Sequence, residues 1–345
     1  MIAQLQATYA VHIVYVGSNH GIEKKLIQRA GIAYYAIMTG KLRRYFSWKN
    51  FLTPFQVLLG IMQSIFLCRR LKPNCVFSKG GFVAFPLVLA AWCNRIPVIV
   101  HESDLNPGLA NRLSFPFARR ICLTFPETQN YFSNPNRCVI TGLPLRGDIL
   151  KGRPEQGLRY CNFNADKPVL LVLAGGLGST LINHMIRRLL PRILPYFQIV
   201  HLCGNGKMDS QFSSLLGYRQ FTYLNEELAD ILAMASLVLS RAGATTLFEL
   251  LALKKPHILL PLSLKASRGD QIDNARYFEH RGISKVLYPD DVTDERLVNM
   301  ILMCYENLSQ LQKHCQESVY AQSTQHVVDE IIMLLQTQDV SSMAK

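Results

Sequence analysis

Short β-rich runs alternate with helix-like segments along almost the whole chain, and this alternation restricts the fold more than any other feature. Residues 11–17 (VHIVYVG), 75–78, 96–101 (IPVIVH), 121–125 and 138–142 read as buried strands. Periodic apolar stretches such as 82–93 and 107–118 lie between them. A second series comprises 168–173, 198–202, 220–223, 237–240, 257–260 and 284–287. Strand, helix, strand in repetition is the pattern of a parallel sheet covered by helices. Between the series, 146–166 is polar and carries Gly147, Gly152, Pro154 and Gly157. The expected organisation is an α/β fold of two doubly wound domains, 1–145 and 167–335, with 146–166 as linker and 336–345 as a frayed tail. Strand C-termini then line a cleft between the domains.

The 345 residues suit two domains, and with 49% apolar and 18% charged residues two cores can be packed. Disordered and low-complexity classes need the opposite balance. The net charge of +13 calls for an anionic partner: nucleic acid, a phosphorylated substrate or an anionic lipid surface. Nine scattered cysteines without a C-x-x-C pair argue against disulfides and structural zinc, and no metal site is expected. No Lys or Arg precedes Lys24, so no signal peptide is expected.

Three glycine turns follow strands and open helices: 78–82 (SKGGF), 174–180 (AGGLGST) and 240–246 (SRAGATT). Glycine lets the backbone approach a ligand, and a helix N-terminus offers N–H groups to phosphate. Each turn alone also reads as an ordinary strand-to-helix connection. Three together suggest a cleft built for a diphosphate. Two turns past Gly243, Glu249 is placed to accept hydrogen bonds from ribose hydroxyls, or else to sit as a solvated or dipole-stabilising charge. In the loop 263–274 (SLKASRGDQIDN), Asp270, Gln271 and Asn274 suit sugar hydroxyls; a solvated surface loop is the alternative. His101, Glu102 and Asp104 end the strand IPVIVH, where they suit proton transfer or sugar binding, or a strand-end His and a helix-capping Asp.

In this order, the segments FSKGGFVAFPLVLAAW, IPVIVHESDLNPGLANR, SRAGATTLFELLALKKPHILLPL and ASRGDQIDNA resemble the MurG family over nearly the whole chain. The resemblance implies a GT-B glycosyltransferase fold. It implies transfer of N-acetylglucosamine (GlcNAc) from UDP-GlcNAc to the muramyl 4-hydroxyl of lipid I, giving lipid II with inversion. It also implies no tightly bound cofactor. It assigns Glu249 to the ribose and Ala244, Thr245 and Thr246, followed by Leu247 and Phe248, to the diphosphate turn. Asp270 and Gln271 fall on the GlcNAc hydroxyls, Arg146 on a donor-site arginine, and Asn225 (or Leu224) on a backbone contact to uracil.

The chain departs from the family in three places. Asp104 replaces an amide in the family's HEQN. Gly176 occupies a serine position, leaving the backbone or Ser179 to serve the phosphate. The family's opening GGTGGH turn has no counterpart, and MIAQLQATYAVHIVYVGS reads as the latter half of the helix after it. The expectation is that roughly two dozen residues belong upstream of Met1, testable as an in-frame GGxxGH-encoding segment. Without that turn, His101 and Glu102 are the catalytic candidates. The alternative function is a non-catalytic UDP-sugar or cell-wall-machinery binder. Nucleic acid is not expected, because the basic residues are dispersed.

On a helix, Phe51, Phe55, Leu58, Leu59, Met62, Ile65 and Phe66 form one apolar stripe flanked by Lys41, Arg43, Arg44, Lys49, Arg69 and Arg70. A helix packed on the sheet explains a stripe. The resemblance favours docking to an anionic leaflet, joined by Trp92. The implied location is peripheral, on the cytoplasmic face of the bacterial inner membrane, with cell-wall synthesis and division proteins as further partners.

Overall fold

The computed structural model describes residues 1–19, 23–40, 49–175, 178–316 and 323–343. It divides into two compact units, Met1–Pro144 with Gln322–Lys345, and Leu145–Ala321. The first holds β1 (Val14–Ser18), β2 (Ala33–Ile37), β3 (Val76–Ser78), β4 (Val98–Glu102), β5 (Arg120–Leu123) and β6 (Cys138–Ile140). These form two parallel sheets, β1-β2 and β3-β4-β5-β6. All five residues of β4 are buried, as expected of a strand covered on both faces.

β2 was not expected. Its AYYAI alternates weakly, and it is held by pairing: Tyr34 stacks on Tyr15 of β1 at 5.6 Å and donates to Ser18 O at 2.6 Å. Gly17 makes room for that ring, since a Cβ there would lie 2.1 Å from Tyr34 Oη.

The second unit contains β7 (Val169–Leu173), β8 (Gln198–Leu202), β9 (Tyr218–Phe221), β10 (Leu237–Ser240), β11 (His257–Leu259) and β12 (Lys285–Val286). They form one parallel sheet in the order β12-β11-β10-β7-β8-β9. Helix Thr180–Ile193 buries Ile182, Met185, Ile186, Leu189 and Leu190 against one face. Helix Leu228–Met234 buries Ile231 and Leu232 in a separate cluster with Val200 and Val238.

Two boundaries differ from the expected ones. The 146–166 stretch is not a free linker: Ile149 and Cys161 are at most 1% exposed in the second unit's core. Its Pro154–Cys161 helix approaches residue 230 closely enough that a Cβ at Gly157 would lie 2.6 Å from Asp230 O. Polar average composition concealed the few apolar anchors. The terminal helix Ser323–Met343 packs on the first unit, where Val327, Val328, Ile331 and Leu334 join Leu5, Ile99 and Cys122. Their spacing of three and four places them on one helix face, and the helix continues through most of the expected tail.

Helix Lys49–Leu71 packs through Thr53, Ser64, Leu67 and Cys68. Gly60 permits the close approach, because a Cβ there would sit 2.2 Å from Met38 O. The opposite face stays open: Phe55 is 68% exposed, Leu58 57%, Leu59 46%, Met62 60% and Phe66 68%. Trp92, 55% exposed, stands edge-on to Phe117. The side chain of Phe51 and residues Lys41, Arg43 and Arg44 lie outside the described residues. Among the described residues no helix is long and apolar enough to cross a membrane.

Candidate functional site

β7 and β10 are sheet neighbours although β8 and β9 intervene in sequence. Strand order reverses there, and the turns leaving the two strands diverge around a crevice at their C-terminal ends. From β7 the chain passes through Gly175 (φ +84°) and Gly178 (φ +70°) into helix Thr180–Ile193, capped by Ser179 Oγ accepting from Ile182 N at 3.4 Å. Gly178 has two reasons to be glycine: its φ is left-handed, and a Cβ would fall 2.0 Å from Cys203 O. Gly178→Ala is therefore expected to destabilise the chain by about 2–4 kcal/mol, read as a lowered denaturant midpoint at constant slope. Gly176, expected at the phosphate, lies outside the described residues.

From β10 the chain enters helix Ala244–Ala252 through Gly243, which supplies no side-chain cap. The first-turn N–H groups of such a helix suit an anion. Thr245 is exposed and Thr246 half-buried beside them. Leu247 and Phe248 are at most 1% exposed, so their side chains serve the core and not a ligand.

Arg241, within the 240–246 glycine turn, ties the strand ends together. Its Nη2 donates to Ser179 Oγ at 2.7 Å, and its Nη1 to Leu260 O at 2.9 Å and Pro261 O at 3.4 Å. One guanidinium thus braces the loops after β7, β10 and β11. Burial lowers its pKa, because taking the guanidinium out of water disfavours the cation. A lone Arg inside a glycine turn was the available signal.

The structure brings Glu249 and Arg146 together, a pairing the sequence does not announce, with Arg146 Nε donating to Glu249 Oε1 at 3.2 Å. Burial raises the Glu249 pKa and the guanidinium pulls it back. With Arg146 42% exposed, this pair adds at most about 1 kcal/mol to stability, so holding a carboxylate ready is its more evident effect.

Helix Asp270–His280 begins after Gly269 (φ +92°). Gln271 Oε1 accepts from Leu262 N at 3.1 Å, and Arg268 Nε lies 3.6 Å from Asp270 Oδ1. Gln271 therefore shapes the loop with its carbonyl and keeps an amide edge for a ligand. Asn274 is fully buried and donates to Ala242 O at 3.3 Å, so it holds the β10 turn and does not read a sugar directly. Asn225 is exposed just after β9, and Leu224 beside it is in the core.

The candidates in the first unit are placed differently. His101 is wholly buried; its Nε2 donates to Gly142 O at 2.9 Å and its Nδ1 has no partner. Burial lowers its pKa to about 3, so the ring is neutral at ordinary pH and out of reach of a substrate. Glu102 is 3% exposed, accepting from Asp104 N and Gly108 N at 3.0 Å each and from Asn111 Nδ2 at 2.9 Å. These bonds make Glu102 the organiser of the 103–108 loop. Asp104 is half-buried, and its charge acts on Lys79. The helix at 109–114 is capped by Gly108, not Asp104. Among the described residues no group of His, Cys, Asp and Glu forms a metal site.

The chain matches the glycosyltransferase family 28 N-terminal domain over residues 1–123 and the family 28 C-terminal domain over 169–331. It is 48% identical, over 95% of its length and 89% of the relative, to a UDP-N-acetylglucosamine--N-acetylmuramyl-(pentapeptide) pyrophosphoryl-undecaprenol N-acetylglucosamine transferase of Legionella pneumophila. It is 51% identical to the Geobacillus thermodenitrificans protein of the same name, over 89% of the chain and 86% of that relative. Among solved structures, Acinetobacter baumannii MurG matches with a TM-score of 0.72 and 25% identity, covering 96% of this chain and 93% of that one.

Proposed function

Since the chain belongs to glycosyltransferase family 28, and within it to the MurG family, we propose that it transfers GlcNAc from UDP-GlcNAc to the muramyl 4-hydroxyl of lipid I. The observation that carries this reading is the convergence at the β7–β10 switch point of two glycine turns, Arg241 and the Arg146–Glu249 pair.

The donor lies on the second unit. Its diphosphate meets the N-terminus of helix Ala244–Ala252 at Ala244, Thr245 and Thr246, with Ser179 and Arg241 alongside. Glu249 accepts from the ribose hydroxyls, and Asn225 or Leu224 offers its backbone to uracil. Asp270 and the amide of Gln271 hold the sugar. As the glycosidic bond breaks, negative charge moves onto the departing UDP, and the helix N-terminus and Arg241 stabilise it there. The acceptor lies on the first unit, where Glu102 holds the 103–108 loop, His101 ties the end of β4 to Gly142 O, and Asp104 faces the acceptor. Transfer of labelled GlcNAc from UDP-GlcNAc to a lipid I analogue tests the reaction. UDP binding without transfer would instead favour a UDP-sugar binder.

Lipid I is reached at the cytoplasmic face of the membrane, through the open face of helix Lys49–Leu71. Phe55 and Met62, each at least 60% exposed, insert among acyl chains, with Trp92 beside them. Burying a large apolar side chain contributes roughly 1.5–3 kcal/mol. Phe55→Ser with Met62→Ser is expected to reduce sedimentation with anionic vesicles at least about tenfold. Transfer to a water-soluble acceptor should be unchanged.

A further inference from the structure

The second unit contains a cavity of about 380 Å³ that the donor site does not use. Thr180, Asn183, His184 and Arg187, spaced three and four apart on helix Thr180–Ile193, line one side, and the 206–210 loop closes the other. Arg187 is anchored through Nη2, which donates to Lys207 O at 2.6 Å and Gln220 Oε1 at 2.8 Å. Its Nε is buried and has no acceptor. Native structures rarely leave a charged donor in that state unless a ligand or water completes it. Lys207 also lines the cavity and donates from Nζ to Gly178 O at 2.9 Å. Asp209 is the only acidic lining residue, and its carboxylate accepts from Gln211 N. Two cations against one capped anion leave the cavity electropositive, and its volume exceeds what a lone ion needs.

We infer that this cavity binds a small phosphate-bearing metabolite, with the Arg187 guanidinium and Lys207 supplying the positive charge that faces the phosphate. Lys207 also holds Gly178, so occupancy of the cavity reaches the β7 turn. Any effect of the anion on UDP affinity is matched by an equal effect of UDP on the anion.

The probe is inorganic phosphate, titrated calorimetrically into the full chain with and without saturating UDP. The expected result is one phosphate site that persists under UDP and weakens at least tenfold in His184→Glu. Met208→Glu, at a 50% exposed position on the same lining, should weaken it similarly, so misfolding of one variant does not decide the outcome. Phosphate binding abolished by UDP, or untouched by both substitutions, would assign it to the donor turn or to an adventitious ion and overturn the inference. Should UDP itself not bind, the two variants still decide the question.

Discussion

Arg241→Met is expected to lower kcat/KM for GlcNAc transfer by about a hundredfold or more and to destabilise the chain by about 3 kcal/mol. The guanidinium makes three hydrogen bonds, to Ser179 Oγ, Leu260 O and Pro261 O, and methionine makes none. Charge-assisted bonds contribute roughly 1.5–3 kcal/mol each, less what water returns to the freed carbonyls. The larger loss is expected to be catalytic, because in the proposed reaction the same cation faces the charge that develops on the leaving diphosphate. Removing one such preorganised donor typically reduces kcat about 10²–10³-fold. Steady-state kinetics with denaturant unfolding separates the two effects. A variant that loses stability but keeps kcat/KM would reduce Arg241 to a brace.

Glu249→Ala should raise the KM for UDP-GlcNAc by about a hundredfold while changing kcat little. Two ribose hydroxyls lose a carboxylate acceptor, at about 1.5 kcal/mol apiece, and the interaction is made equally in ground and transition states. Arg146 would remain in place but without its partner. A pH dependence follows from the same residue. Burial raises the Glu249 pKa, and only the ionised carboxylate accepts from both hydroxyls. UDP affinity is therefore full above the raised pKa and falls as pH drops through it. Glu249→Gln, which cannot titrate, should show weaker binding with a flatter profile. A wild-type profile that is flat across the acid range would remove Glu249 from the ribose.

The fold was legible because parallel strands buried on both faces write themselves as apolar runs soon followed by Gly or a polar residue, as VLLVL before Ala174 and Gly175 and LVLS before Arg241 do. β2 escaped because its AYYAI is held by Tyr15 and Ser18 across the ladder, not by its own pattern. At the site, the sequence displays residue type but not burial. Glu249 and Arg146, far apart in sequence, meet at 3.2 Å, a pairing that only the fold reveals. His101 and Asn274 have the right chemistry at strand and helix ends, yet both are fully buried and engaged with backbone carbonyls. Arg241 failed in the opposite sense. Its reach across three strand ends depends on β7, β10 and β11 being neighbours, which no local pattern reveals.

The central claim is that UDP-GlcNAc binds at the β7–β10 switch point, and hydrogen–deuterium exchange on the full chain with and without UDP tests it most directly. Protection is expected in peptides covering 174–180, 241–252 and 262–274, and it should be lost from all three in Arg241→Met. Protection confined to other segments, or none at UDP concentrations that support transfer, would contradict the account.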